Sequence, residues 1–101
     1  MTVLVSVTCA NQAEAKKIAS LVLEKELAAC ANWWPVESIY WWHNQIVYQR
    51  EIMLELKTTA KSLAAAKRLI AENHSYQIPV ISVGKVTSSP AATRWLKSVI
   101  K

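Results

Sequence analysis

Two long apolar and aromatic segments, separated by a few polar residues, decide the fold. The first reads ANWWPVESIYWW from Ala31 to Trp42, and the second reads IVYQREIMLELKT from Ile46 to Thr58, after His43-Asn44-Gln45. Two alternating, β-branched and aromatic runs with a tight polar connection predict a β-hairpin. Asn44 suits the turn because asparagine adopts positive φ more readily than most residues. A strand of thirteen residues is ~43 Å long at ~3.3 Å per residue, so part of the hairpin should project from its domain.

Shorter patterns on both sides of the hairpin predict five further elements. Alternation with period two indicates strands, and apolar spacings of three and four indicate helices. In chain order we expect a strand from Val3 to Cys9, a helix capped by Asn11 with Glu14 three residues on, a helix from Ala60 to Glu72 capped by Thr59, a strand from Ile78 to Val83, and a C-terminal helix opened by Ser89 and Pro90. The order β-α-β-β-α-β predicts a ferredoxin-like α+β fold. Its antiparallel sheet has the order 4-1-3-2, and the last helix is additional.

Composition narrows the class of protein. The 101 residues are 52% hydrophobic and 19% charged, which predicts one folded domain over residues 1–101 and excludes a disordered chain. The formal net charge is +5, from 12 basic and 7 acidic side chains. Because the cations are spread along the chain, we expect neither nucleic acid nor a membrane surface as a partner. No basic leader and no apolar run of ~20 residues is visible, so we expect a soluble cytoplasmic protein.

Indole side chains occur on both faces of the predicted hairpin. Trp33, Trp34, Trp41 and Trp42 occupy successive positions, and successive strand residues point to opposite faces. Each large aromatic buries ~150–250 Å² when it is covered, and one short C-terminal helix is too small to cover them all. We therefore expect an obligate homo-oligomer in which the open faces and hairpins of identical chains cover one another.

Few residues in the chain are typical of catalysis. The sequence has no nucleophile elbow and only one glycine, Gly84, so no glycine-rich phosphate loop is present, and we expect a protein without enzymatic activity. In the predicted sheet, His74 lies near the end of the first strand, where Cys9 stands. This thiol and imidazole are candidate ligands for copper or zinc. The alternative is that His74 forms hydrogen bonds within its loop and Cys9 packs in the core. Cys30 lies at the opposite end of the sheet, so no disulfide with Cys9 is expected.

A second group of residues predicts a ligand pocket between subunits. Glu51 and Lys57 lie on one face of the third strand, where the alternative is a solvated polar stripe. If an oligomer covers that face, these two residues line an interfacial pocket with Trp42 and Tyr76, and His74 contributes from the neighbouring loop.

Several segments together resemble the CutA family of divalent-cation tolerance proteins. They are Val5-Ser6-Val7-Thr8-Cys9, Leu27-Ala28-Ala29-Cys30-Ala31-Asn32, Ser38-Ile39-Tyr40-Trp41-Trp42, Leu56-Lys57-Thr58, His74-Ser75-Tyr76-Gln77-Ile78-Pro79 and Trp95-Leu96. They occur in family order over nearly the whole length. The resemblance implies a cytoplasmic ferredoxin-like homotrimer associated with tolerance to copper and other divalent cations. It implies no obligatory cofactor and no enzymatic reaction.

The chain departs from the family pattern in one loop and one turn. The family's loop reads His-Pro-Tyr-Glu-x-Pro-Glu, whereas this chain has Ser75, Gln77 and Val80 in place of the first proline and the two acids. The family's hairpin turn has Glu-Gly where this chain has His43-Asn44. The missing acid at Val80 removes an oxygen ligand that we expect beside His74, which weakens the metal hypothesis for this chain.

Two other functional classes share the topology. RNA-recognition domains need stacking aromatics on the third strand, but here that strand carries one aromatic, Tyr48, and the acidic Glu51. Acylphosphatase-like enzymes need a cradle of backbone amides after the first strand, where this chain has only Ala10-Asn11-Gln12. Both alternatives are disfavoured. Binding of single-stranded oligonucleotides would support the first class, and turnover of an acyl phosphate would support the second.

Overall fold

The computed structural model describes all 101 residues. Its elements are β1 (Thr2–Cys9), α1 (Gln12–Glu24), β2 (Cys30–Trp42), β3 (Gln45–Thr58), α2 (Leu63–Glu72), β4 (Ser82–Val86) and α3 (Pro90–Val99). The strands form one antiparallel sheet in the order β2-β3-β1-β4, which is the predicted order read from the other edge. The ferredoxin-like α+β fold with an additional C-terminal helix is therefore confirmed. None of the helices is long and apolar enough to cross a membrane.

The core lies between the sheet and the first two helices. Val3, Val5, Val7 and Cys9 of β1 are at most 1% exposed, whereas the residues between them are only half-buried. One apolar cluster joins this face of β1 to α1, α2 and β3 through Ala15, Ile18, Ala19, Val22, Ala66, Ile70, Leu54 and Leu56. Because side chains alternate along a strand, Leu4, Ser6 and Thr8 of β1 point to the opposite face of the sheet, outside this cluster.

The β2-β3 hairpin extends beyond the rest of the sheet, as predicted. β1 pairs with β3 only as far as the Cys9–Ile52 pair, whereas β2 and β3 remain paired to Trp42 and Gln45 at the turn. The molecule is accordingly elongated, with extents of 45 × 24 × 20 Å. Pro35 is tolerated within β2 because β2 is an edge strand, where a missing amide breaks no ladder.

The hairpin turn and the first helix cap have the expected geometry. His43 and Asn44 have φ of 50° and 62°, the left-handed values that a tight two-residue hairpin turn requires. At the start of α1, Asn11 Oδ1 accepts the N–H of Glu14 at 2.8 Å. The Glu14 carboxylate accepts the N–H of Ala10 at 2.9 Å, one residue before the cap.

Two predicted boundaries were wrong. The second helix begins at Leu63 and not at Ala60, because residues 60–62 form a turn in which the N–H of Ser62 donates to the carbonyl of Thr59. The last strand is Ser82–Val86 and not residues 78–83. Its pairing with β1 begins at Ser82 opposite Ser6, so residues 78–81 are left out of the sheet.

Candidate ligand-binding site

A cavity of about 530 Å³ lies between the projecting hairpin and the loop that joins α2 to β4. This volume is typical of small-molecule sites. β1 and the hairpin contribute Thr8, Ser38, Ile39, Tyr40, Trp42 and Glu51, and the loop contributes Ser75, Tyr76, Gln77, Ile78 and Val80. Six of these eleven residues are hydrophobic, and Glu51 is the only one that carries a charge. The cavity is therefore an apolar and aromatic site with a single carboxylate.

A directed series of hydrogen bonds ends at that carboxylate. The Tyr40 hydroxyl donates to Gln49 Oε1, and Gln49 Nε2 donates to the Tyr76 hydroxyl at 3.3 Å. The Tyr76 hydroxyl in turn donates to Glu51 Oε2 at 2.6 Å. Burial and the charge of Glu51 raise the pKa of Tyr76, so this hydroxyl keeps its proton and remains a donor. Glu51 is the final acceptor of the network, and the residue is 5% exposed.

His74 fixes the loop behind the cavity. Its side chain has no exposed surface. Nδ1 accepts the N–H of Tyr76 at 3.1 Å, which means that Nε2 carries the ring proton and donates it to the carbonyl of Thr8 at 2.9 Å. Both ring nitrogens are therefore used, and they hold Tyr76 against the end of β1.

Glu14, at the start of α1, also holds this loop in place through a hydrogen bond. Its Oε1 accepts the N–H of Ala10, and its Oε2 accepts the N–H of Ser75 at 2.9 Å. Burial alone would raise the pKa of Glu14. The hydrogen bonds from Ser75 and Ala10 outweigh burial and lower the pKa.

The predicted Cys9 and His74 pair is brought together, with Glu14 as a third neighbour. One potential ligand atom from each residue lies within 4.8 Å of the others. As placed, however, both His74 nitrogens and both Glu14 oxygens already form hydrogen bonds. Burial, with the charges of Glu14 and Glu51, raises the pKa of Cys9 to about 12, so the sulfur is a thiol whose proton a metal ion would have to displace. The cluster does not fit a resident metal ion in this conformation.

The structure unites some of the predicted pocket residues and separates others. Trp42, Glu51 and Tyr76 line the one cavity, and His74 lies directly behind Tyr76. Lys57 does not line this cavity: it lies six residues beyond Glu51 on β3, where its ammonium group donates to Asn32 at 3.1 Å. Sharing a strand face does not bring two residues together, because six residues of strand span ~20 Å. Both cysteines are free, as predicted.

The loop substitutions also have a different meaning from the one expected. Val80 is 68% exposed and lies on the rim of the cavity. Gln77 lies in the same lining, and Ser75 faces Glu14. An acid at position 80 would therefore have lined the cavity.

Sequence reasoning missed three residues of the site. Glu14 was interpreted only as part of a helix cap, although its position five residues after Cys9 places it beside the end of β1. Tyr40 and Gln49 lie on the same hairpin face as Glu51, which the alternation of the strands makes recognisable. Their joint contact with Tyr76 depends on the path of the loop, for which the sequence has no periodic pattern.

These features define a small ferredoxin-like protein that has a ligand-sized cavity beside a projecting hairpin. The family model described as CutA1 divalent ion tolerance protein matches residues 3–99. The chain therefore belongs to the CutA1 family of divalent ion tolerance proteins.

Individual relatives agree with this assignment. The divalent-cation tolerance protein CutA of Archaeoglobus fulgidus is 36% identical over 75 residues, which are 74% of each chain. Protein CutA of Mus musculus is 35% identical over 95 residues, which cover 92% of this chain and 54% of the mouse protein. The chain thus spans about half the length of the mouse protein.

Solved structures share the whole fold. The structure described as the periplasmic divalent cation tolerance protein CutA from Archaeoglobus fulgidus superposes with a TM-score of 0.97, covers 100% of both chains and is 28% identical. The divalent cation tolerance protein from Thermus thermophilus has a TM-score of 0.94, the same coverage and 29% identity. The path of the hairpin and the crossover helices is therefore that of the family.

Proposed function

We propose that this protein acts as a homotrimer in the cellular response to divalent cations such as copper. In this proposal it is a binding or regulatory protein without catalytic activity, and its ligand site is the cavity at Glu51 and Tyr76, where subunits meet. The observation that carries the proposal is the exposed apolar surface of the projecting hairpin.

That surface is large for a chain of this size. Tyr48 is 79% exposed, Trp41 71% and Ile39 60%, and these residues all belong to the part of the hairpin beyond β1. Monomeric proteins rarely expose more than a few hundred Å² of continuous apolar surface, and larger patches mark interaction sites. Identical chains that pack their hairpins together would bury these side chains. The number three follows from the family resemblance.

Both edges of the sheet support assembly as well. β2 and β4 are the edge strands, and the outer backbone groups of each have no strand partner within the chain. Such edges pair readily with another chain.

The exposed apolar side chains at the rim of the cavity favour a position at a subunit boundary. Ile39, Ile78 and Val80 line it and are 60%, 64% and 68% exposed. A neighbouring copy that covered the hairpin would also cover these side chains and form part of the wall of the cavity.

The assembly is tested by sedimentation equilibrium at micromolar concentration. We expect about 34 kDa, three times the 11.3 kDa of one chain. Replacing Trp41 and Tyr48 together by lysine should lower the mass to that of one chain. Leu23→Lys, which changes a 37% exposed apolar residue on α1, is the control and should keep the wild-type mass. A wild-type mass of 11.3 kDa at every dilution, or a stable dimer, would overturn the trimer.

The role of metal is tested separately by titration. We propose that copper acts without a resident site at Cys9 and His74, because those donor atoms are already hydrogen-bonded or protonated. Cu²⁺ titrated into wild type and His74→Ala should then bind with affinities within about twofold of each other. Binding to the wild type that is tenfold tighter would place the ion at His74 and contradict this view.

We propose that this protein is located in the cytoplasm, whereas the Archaeoglobus fulgidus relative is described as periplasmic. Fractionation of cells that express the protein, with marker enzymes for each compartment, decides between the two.

A further inference from the structure

We propose that the cavity recognises an organic cation, namely an ammonium group attached to a small apolar body. This inference rests on the proposed function, because it assigns a ligand class to the same cavity. It follows from the charge, the hydrogen bonds and the aromatic walls of the site.

The cavity contains an acid without a counter-charge. Glu51 is 5% exposed and forms no salt bridge, although the chain as a whole has a formal charge of +5. No lysine or arginine lines the cavity. A buried carboxylate without a cation is destabilising, and a cationic ligand removes that cost. An anionic ligand would add a second negative charge to the same space.

The hydrogen bonds leave one acceptor for a ligand. The Tyr40 and Tyr76 hydroxyls and the Gln49 amide all donate along the series that ends at Glu51 Oε2. Glu51 Oε1 receives no hydrogen bond from the protein. Because every fully buried polar side-chain atom has a partner, Oε1 must keep some exposed surface. The network therefore holds the carboxylate in place and leaves its second oxygen without a donor from the protein.

The walls of the cavity suit an ammonium group. Tyr40, Trp42 and Tyr76 contribute aromatic rings, and aromatic faces attract cations, more strongly when water is excluded. A hard divalent metal ion is a poorer fit, because it needs several oxygen ligands and this cavity offers one carboxylate.

Choline and 3,3-dimethylbutan-1-ol are the probes, because they have the same shape and differ only in the positive charge. We expect the assembled wild-type protein to bind choline at least tenfold tighter than the alcohol, measured by calorimetry. Glu51→Gln should weaken choline binding at least tenfold and leave alcohol binding unchanged. Glu55→Gln is the matched control, since Glu55 lies on the same face of β3 outside the cavity, and it should bind choline like the wild type.

Equal binding of the two probes, or unchanged choline binding in Glu51→Gln, would overturn the inference. A thermal unfolding measurement without ligand adds an independent test. Glu51→Gln should be at least as stable as the wild type, because it removes an unpaired buried charge and keeps an acceptor for Tyr76. Loss of stability or assembly in this variant would show that a cation of a neighbouring copy pairs with Glu51, and would also overturn the inference.

The two proposals fail in distinguishable ways. Sedimentation of the same samples reports the mass, and the pair of probes reports the preference for charge. A trimer without that preference contradicts the organic cation alone, whereas a monomer contradicts the proposed assembly whichever probe binds.

Discussion

The hydroxyl of Tyr76 lies 2.6 Å from Oε2 of Glu51, and 25 positions of sequence separate the two residues. Tyr76 belongs to the loop between α2 and β4, and Glu51 belongs to the projecting part of β3. Together with the hydrogen bond that Gln49 Nε2 donates to the same tyrosine hydroxyl, this contact links the loop to the hairpin at the cavity.

Tyr76→Phe should destabilise the protein by about 1.5–3 kcal/mol, because it removes a hydrogen bond to a charged and buried acceptor. The free energy of unfolding in urea, at one fixed protomer concentration, measures this loss. Ser20→Ala is the control: Ser20 is an exposed residue of α1 and its hydroxyl forms no hydrogen bond, so its change should stay within about 0.5 kcal/mol. Equal effects of the two substitutions would mean that the Tyr76 bond contributes nothing.

Glu14 should make stability depend on acidic pH. Its pKa is lowered in the folded chain from the ordinary value of 4.5, so the folded state binds fewer protons than the unfolded state. The stabilisation is complete above pH 4.5 and is lost as the pH falls through the lower pKa of the folded state. Unfolding free energies of wild type and Glu14→Gln, measured between about pH 7 and pH 3, should therefore converge at acidic pH. Parallel curves would contradict this role of Glu14.

The two cysteines should differ in reactivity. Cys9 is 0% exposed and its pKa is raised to about 12, so at pH 8 it is almost entirely the unreactive thiol. Cys30 is partly exposed. Iodoacetamide at about pH 8 should modify Cys30 well before Cys9 in the folded protein and both at similar rates in urea, as followed by peptide mass spectrometry. Faster modification of Cys9 in the folded state would contradict its burial.

The hairpin turn offers a test of backbone conformation. Asn44 has a φ of 62°, which glycine adopts without strain and a β-branched residue adopts only at a cost. Asn44→Gly should change stability by less than about 0.5 kcal/mol, whereas Asn44→Val should destabilise the protein by about 1–3 kcal/mol. Hydrogen exchange of the hairpin amides locates the effect. Similar protection in both variants would mean that this turn does not require a residue that readily adopts the left-handed backbone conformation.

Much of the fold was predictable from the sequence because its signals are local. The alternation of Val3, Val5 and Val7 predicted the buried face of β1, and Asn11 with Glu14 predicted the start of α1. The α2 boundary was missed because Thr59 and Ser62 both resemble caps, and neither side chain caps the helix. The start of β4 was missed because Ile78 and Val80 read as strand residues, although they line the cavity instead.

The candidate site was predictable only in part. The sequence pointed to Trp42, Glu51 and Tyr76, which do line one cavity, and it also pointed to Lys57, which lies elsewhere on the strand. A strand pattern indicates which face a residue occupies, but the distance along that face and the approach of a distant loop are not contained in it.

By itself, the sequence determined the element order, the buried face of β1 and the long aromatic hairpin, because propensity and periodicity act between residues close in the chain. Only the tertiary structure decided that His74 uses both ring nitrogens to hold the loop, and that Glu51 stands in an aromatic cavity without a cation. These contacts join residues that are far apart in the chain. They depend on how the loop crosses the end of β1, and that path follows from packing of the whole molecule and not from any local pattern.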